Sequence, residues 1–186
     1  HHNNGTDDTT ELIAFNTLIT EPTNVSKLGY NLEGWYSDSN FNTKWNFASD
    51  KMPAQNIDLY AKWTLLEYTI TFNSNGGPGS INDMQYTVEK SITLPMPEWN
   101  GYVFDGWYEN NARFEYVLGQ TVGDHSLTAK WTAEKYAITY MDGDSKITAE
   151  SGWPTTYTLE SATTLPTSAT KTGYTFKGWF SDAEFN

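Results

Sequence analysis

Short runs of alternating polar and apolar residues recur along this chain, each closed by turn-forming residues. Tyr68-Thr69-Ile70-Thr71-Phe72 alternates with period two and predicts a half-buried strand. Asn73 to Gly79 follows as a loop rich in Asn, Gly and Pro. A second strand is expected over Gln85 to Val88, and Pro95 and Pro97 then break the chain into an irregular or briefly helical crossing. Tyr102 to Tyr108 predicts a third strand, in which Gly106 marks a bulge or a close backbone approach. A short strand near Phe114 to Tyr116 and a last one over Leu127 to Trp131 complete the series. No stretch carries a long helical period, so the class is mainly β, or α+β if the crossing forms a helical turn.

The series is a repeat. Gly29-Tyr30-Asn31-Leu32-Glu33-Gly34-Trp35-Tyr36 returns as Gly101-Tyr102-Val103-Phe104-Asp105-Gly106-Trp107-Tyr108 and again as Gly173-Tyr174-Thr175-Phe176-Lys177-Gly178-Trp179-Phe180, in steps of 72 positions. Ala61-Lys62-Trp63 returns as Ala129-Lys130-Trp131, and Tyr68-Thr69-Ile70 as Tyr136-Ala137-Ile138. The expected division is unit one over 1–63, unit two over 64–131 and unit three over 132–186. Residues 1–10 read as a tag remnant, His1 and His2, followed by a loop. In this register Glu11 to Phe15 is the second strand of unit one, whose first strand would lie before His1. Ser181 to Asn186 matches Ser37 to Asn42, so unit three stops short of its last strand and only unit two is whole. The links Thr64–Glu67 and Thr132–Lys135 hold no Gly or Pro, which predicts a semi-rigid, elongated array. Unpaired sheet edges in the partial units would invite strand exchange with another copy.

Composition fits small aromatic cores. The chain has eight Trp, twelve Tyr and nine Phe in 186 residues, and rings bury a large area each. The net charge of −12 speaks against nucleic acid and anionic membrane surfaces. With no cysteine there are no disulfides or thiolate metal sites, and no apolar run approaches the roughly 18 residues of a membrane span.

The Gly-Tyr-x-x-x-Gly-Trp-aromatic box, the ending Leu59-Tyr60-Ala61-Lys62-Trp63 and the Tyr-x-Ile-Thr-Phe opening resemble the Listeria–Bacteroides repeat, the family that includes the B-repeat of internalin B. The resemblance implies tandem β-grasp-like or ubiquitin-like modules in extracellular bacterial proteins. These are attached to the cell wall through other regions and serve as spacers, or as adhesion modules for a host protein or glycan. It brings no catalytic residues. Unit two departs from the pattern with Thr121-Val122-Gly123-Asp124 in place of the Lys51-Met52-Pro53-Ala54 stretch, and with a shorter loop between Tyr108 and Phe114.

Candidate chemistry is sparse. Trp35, Trp107 and Trp179 are expected in the cores, packed by Tyr30, Tyr102 and Tyr174 or by Trp63 and Trp131. Trp99 and Trp153 stand where other units carry polar residues, Lys27 and Lys171 for the former and Asn82 for the latter. They are the candidate binding residues, either as contacts between neighbouring units or as part of a binding face. Asp124-His125-Ser126 are adjacent, so they cannot converge as a catalytic triad; His125 reads as a turn residue. Asp142-Gly143-Asp144-Ser145 reads as a hairpin turn rather than a calcium loop, which needs more ligand positions. No catalytic residue, metal site or cofactor is expected.

Overall fold

The computed structural model describes residues 1–182. Eleven strands follow one another: β1 (Tyr30–Tyr36), β2 (Tyr60–Leu65), β3 (Tyr68–Asn73), β4 (Met84–Tyr86), β5 (Tyr102–Glu109), β6 (Ala112–Arg113), β7 (His125–Ala133), β8 (Tyr136–Ala137), β9 (Met141–Asp142), β10 (Ser145–Lys146) and β11 (Thr156–Tyr157). No helix occurs among the described residues. The chain is mainly β, and the crossing over Pro95 and Pro97 is irregular throughout.

The middle segment forms one five-stranded sheet of order β4-β3-β7-β5-β6. Its centre is the parallel pair β3 and β7, with Ile70 beside His125 and Phe72 beside Leu127. β4 adds antiparallel to β3, and β5 adds antiparallel to the other edge of β7. Alternation along β3 and β7 turns Ile70, Leu127 and Ala129 to one side, where they pack with Tyr86 and Trp107 as a buried cluster. Phe72 and Phe104 meet the Trp107 ring at 4.8 and 5.4 Å between centroids. The indole N–H of Trp107 donates to the Pro95 carbonyl at 2.7 Å, tying the irregular crossing to the core.

Gly106 behaves as the sequence predicts. The register of β5 on β7 shifts between Phe104 and Gly106, and Gly106 sits at φ 135°, a conformation that favours glycine. β1 repeats the shift at Gly34, with φ 146°. The bulge lets both Phe104 and Trp107 reach the same ring cluster although they are three positions apart.

Several expected strands move. β6 is Ala112–Arg113, not Phe114–Tyr116; Phe114 instead donates its N–H back to the Trp107 carbonyl. Glu11 to Phe15 forms no strand, and Leu18 makes an isolated bridge to Lys51. Tyr174 to Phe180 has the sequence of β1 and β5 but is not assigned to a strand, and no described strand stands where β7 flanks β5. β9 and β10 close a tight hairpin around Gly143, as the Asp142-to-Ser145 pattern predicts. Of the stretch Ser181–Asn186 that matches Ser37–Asn42, residues 183–186 lie outside the described residues.

His1 and His2 are held within the first unit. Ala61 N–H donates to the His1 carbonyl, Trp63 Nε1 to the His2 carbonyl at 2.8 Å, and Asn3 Nδ2 to the Ala61 carbonyl at 2.9 Å. In the middle sheet Trp131 Nε1 donates to the Ser74 carbonyl at 2.8 Å and Asn75 Nδ2 to the Ala129 carbonyl at 3.0 Å. His2 and Asn3 therefore occupy the repeat positions of Ser74 and Asn75.

Candidate interaction site

The tyrosine of the Gly-Tyr box does not enter the core that it was expected to build. It lies at the joint with the next unit. Gly29 is buried beneath Val88, so close that a β-carbon on Gly29 would stand 2.9 Å from Val88 Cβ and nearer still to its methyl groups. The Tyr30 hydroxyl donates to the Glu89 carboxylate. This hydrogen bond, followed by burial, pushes the Tyr30 phenol above its ordinary range. One repeat later Gly101 is buried beneath Leu159, where a β-carbon would stand 2.9 Å from Leu159 Cγ. Burial, and then a hydrogen bond with Glu160, push the Tyr102 phenol up.

The element that docks is a turn of fixed geometry. Lys90 donates its N–H to the Thr87 carbonyl at 3.3 Å, and Ser161 to the Thr158 carbonyl at 3.2 Å. Each turn presents an apolar residue and a glutamate at its tip: Val88-Glu89 and Leu159-Glu160. On the receiving side the glycine carbonyl is fixed by the link that leads to the next unit. Leu66 N–H donates to Gly29 O at 2.9 Å and Glu134 N–H to Gly101 O at 2.8 Å. β2 and β7 run on to Leu65 and Ala133, so the links begin as continuations of paired strands.

Trp99 packs against rings of its own unit. It stacks on Tyr102 at 3.9 Å and 18°, and meets Trp131 edge-on at 5.6 Å. Lys27 and Lys171, at the same repeat position, place their ammonium groups 4.0 and 4.5 Å from the ring centroids of Tyr30 and Tyr174. One slot is thus filled by a cation–π contact in two units and by a ring stack in the third. Trp153 packs on Tyr140 and Trp179 at 4.8 and 5.2 Å. The ring partners of both tryptophans lie in their own units. The joint was missed at the sequence level, although Val88-Glu89 and Leu159-Glu160 stand 71 positions apart.

His125 opens β7 instead of lying in a turn. Its Nδ1 is 2.8 Å from Glu109 Oε2, and Ser126 N–H donates to Glu109 Oε1 at 2.9 Å. Burial opposes the charge on Glu109, but these two hydrogen bonds outweigh it and hold the carboxyl below its ordinary range. Ser126 Oγ meets the Thr71 hydroxyl at 3.1 Å, and Asp124 accepts the Thr69 N–H at 2.8 Å. The three side chains are committed to separate structural contacts, so no nucleophile–base pair forms. Asp142 pairs with Lys171 at 2.7 Å. No group of three or more His, Cys, Asp or Glu placed to hold a metal ion occurs among the described residues. A groove of about 1020 Å³ in unit three lies between the Tyr140 and Trp179 segments, where unit two carries β7.

The Listeria-Bacteroides repeat domain model matches residues 1–62, 68–130 and 136–186, nearly the whole chain in three tandem copies. The chain belongs to this repeat family. A protein of Evansella cellulosilytica, designated a Gly-rich membrane protein, is 33% identical over 184 residues, which is 96% of this chain and 21% of that protein. Internalin H of Listeria monocytogenes is 36% identical over 129 residues, 67% of this chain and 23% of internalin H. A second Evansella protein, designated a membrane protein, is 31% identical over 183 residues and 27% of its length. This Listeria-Bacteroides repeat segment thus spans about a quarter or less of the curated relatives it matches. No described helix is long and apolar enough to cross a membrane.

Proposed function

We propose that the chain is a non-catalytic segment of a bacterial cell-surface protein, in which β modules act as a semi-rigid spacer. The joint carries this reading: the same Gly-Tyr pair receives the same apolar-Glu turn at both unit boundaries. A spacer needs orientation to propagate from one module to the next. A repeated contact of an apolar tip over a buried glycine, close to a short link, supplies that. The names of the relatives, membrane proteins and an internalin, agree with a surface location. Attachment to the cell wall would be made by other regions of the protein.

The finer fold assignment is a β-grasp-like module. The five strands of unit two run in the spatial order second, first, fifth, third, fourth around a parallel centre, with an irregular crossing in place of a helix. Units over 1–63, 64–131 and 132–186 are the corresponding modules.

Adhesion to a host protein or glycan is the competing role. Trp99 and Trp153 offer it little, because each is engaged by rings of its own unit. Small-angle scattering and a glycan array on the same protein test the two together. The spacer reading expects an extended particle and no retained glycan. Saturable glycan binding that a Trp99→Ala or Trp153→Ala substitution removes would replace the spacer with an adhesion module.

A further inference from the structure

Three Asn-Gly pairs occur in the chain: Asn4-Gly5, Asn75-Gly76 and Asn100-Gly101. An asparagine before glycine can close a five-membered ring on the main chain, because glycine has no side chain to shield its backbone nitrogen. Two of the three amides are held. Asn4 Nδ2 donates to the Ser26 carbonyl at 3.0 Å while its Oδ1 accepts from Thr6, and Asn75 Nδ2 donates to the Ala129 carbonyl at 3.0 Å. Asn100 is exposed, and neither its amide nor the Gly101 N–H has a hydrogen-bond partner among the described residues. Its place matters as much as its freedom. Gly101 is the glycine on which Leu159 of unit three seats, and its carbonyl accepts the Glu134 N–H at 2.8 Å. The same repeat position holds Leu28-Gly29 in unit one and Thr172-Gly173 in unit three, which cannot form the ring.

We propose that Asn100-Gly101 is a site of spontaneous deamidation and backbone isomerisation, and that the product unlocks the joint between units two and three. The Gly101 nitrogen gives up its proton and bonds to Asn100 Cγ. The bond from Cγ to the side-chain nitrogen breaks, and ammonia leaves with that proton. Water then opens the resulting succinimide. Cleavage between Gly101 N and Cγ gives aspartate on the ordinary main chain. Cleavage between Gly101 N and the Asn100 carbonyl carbon gives isoaspartate, whose main chain runs through Cβ and Cγ and is one carbon longer. Both products add a carboxylate to a chain already at −12, but only isoaspartate lengthens the turn directly before Gly101. Leu159 fits Gly101 too closely to follow a displaced main chain, so the lengthened turn loses its seat. The joint also restrains the reaction. Tyr102 N–H donates to the Trp99 carbonyl at 3.0 Å and Gly101 sits at φ 82°, a type II turn that sets Asn100 ψ at about +120°. There the Gly101 nitrogen points away from the Asn100 side chain, and the peptide between them must swing round before the ring closes. The Leu159 and Glu134 contacts oppose that swing, so opening of the joint gates the chemistry. The chemistry is independent of the spacer reading; its consequence, a one-way loss of stiffness as the protein ages, rests on it.

The test ages the full chain for weeks in a warm, mildly alkaline buffer. Its peptides are then mapped by mass spectrometry with fragmentation that separates isoaspartate from aspartate. Conversion at Asn100 should run at least about tenfold faster than at Asn4 or Asn75, the scale that one or two held hydrogen bonds supply. Leu159→Ala should speed it severalfold at Asn100 and leave Asn75 unchanged. Asn100→Gln, whose longer side chain closes a ring poorly, should resist ageing. Spin labels at the exposed positions Glu115→Cys and Ser168→Cys read the consequence as the distance between units two and three. The distance distribution should broaden as isoaspartate accumulates and stay narrow in aged Asn100→Gln. It should also stay narrow in fresh Asn100→Asp, which carries the charge without the extra backbone carbon. No isoaspartate at Asn100, or conversion at Asn4 or Asn75 as fast, overturns the site. An unchanged rate in Leu159→Ala overturns the restraint by the joint. A sample rich in isoaspartate at Asn100 with the distribution of fresh protein overturns the unlocking. A distribution broad before ageing overturns the spacer reading and the unlocking with it, and the peptide map still decides the site.

Discussion

Leu159 of the third unit closes over Gly101 of the second, leaving no room for even one additional carbon between them. Gly101 also holds φ 82°. Two independent reasons thus fix glycine there, one conformational and one steric. Gly79 separates them, because its φ is 79° with open space around it. Gly79→Val carries the backbone strain alone. Gly101→Val carries both and should lose at least about 1 kcal/mol more than the roughly 1–3 kcal/mol of strain. Denaturant unfolding followed by tryptophan fluorescence measures the difference. Equal losses in the two variants would mean that the contact contributes nothing.

Trp107 is 3% exposed, meets two phenylalanine rings and satisfies its N–H at Pro95. Trp107→Ala should destabilise the middle unit by about 3–5 kcal/mol, the usual range for a core Trp truncation. A thermal melt within a degree of wild type would contradict the packing described.

Trp99→Lys should be milder than Trp99→Ala. The slot over Tyr102 holds lysine in both other units, so lysine regains a cation–π contact of roughly 0.5–1 kcal/mol. Alanine leaves the Tyr102 face bare and uncovers Trp131. Urea midpoints of the two variants give the order, and a reversed order would show that the slot is specific to a ring.

Tyr86 predicts the alkaline limit of the fold. Burial, followed by Tyr68, Tyr116 and nearby carboxylates, pushes its phenol up to about 12. The hydroxyl donates to the Gly123 carbonyl at 2.6 Å. A phenol ordinarily titrates near 10. Between these values the folded state holds the proton that the unfolded state has released, so stability falls as pH rises. The loss should begin near pH 10 and reach about 2 kcal/mol near pH 12. Tyr86→Phe should give up about 1 kcal/mol at neutral pH for the lost hydrogen bond and flatten that alkaline decline. Unfolding free energies at several pH values from 8 to 12 would display both effects.

The modules were legible in the sequence because they rest on local rules. Alternation located β3, β5 and β7, and glycine in a strand located the bulge at Gly106. The core places of Trp35 and Trp107 followed from their fixed position in the repeat, while Trp179 is only half-buried. The joint was not legible, because it pairs the Tyr102 box with a turn about 58 positions later in the chain, across a unit boundary. Its receiving tyrosine therefore read as a core residue. Trp99 read as either a contact between units or part of a binding face; its stack on Tyr102 fills a place that Lys27 and Lys171 fill over the equivalent tyrosines, which the sequence does not display. Glu11–Phe15 shows the limit of sequence register, since the alignment with the second strand of the other units assigns it a strand that it does not form.

In a semi-rigid spacer the Gly-Tyr joint fixes each unit on the next. Since the chain has no cysteine, spin labels can be placed at Glu115→Cys in unit two and Ser168→Cys in unit three, both exposed. Pulsed electron spin resonance then reads the distance between them directly. A single narrow distribution is predicted, one that broadens when Gly101→Val is added. A distribution already as broad without that substitution would contradict the claim, because the units would then be tethered only by their links.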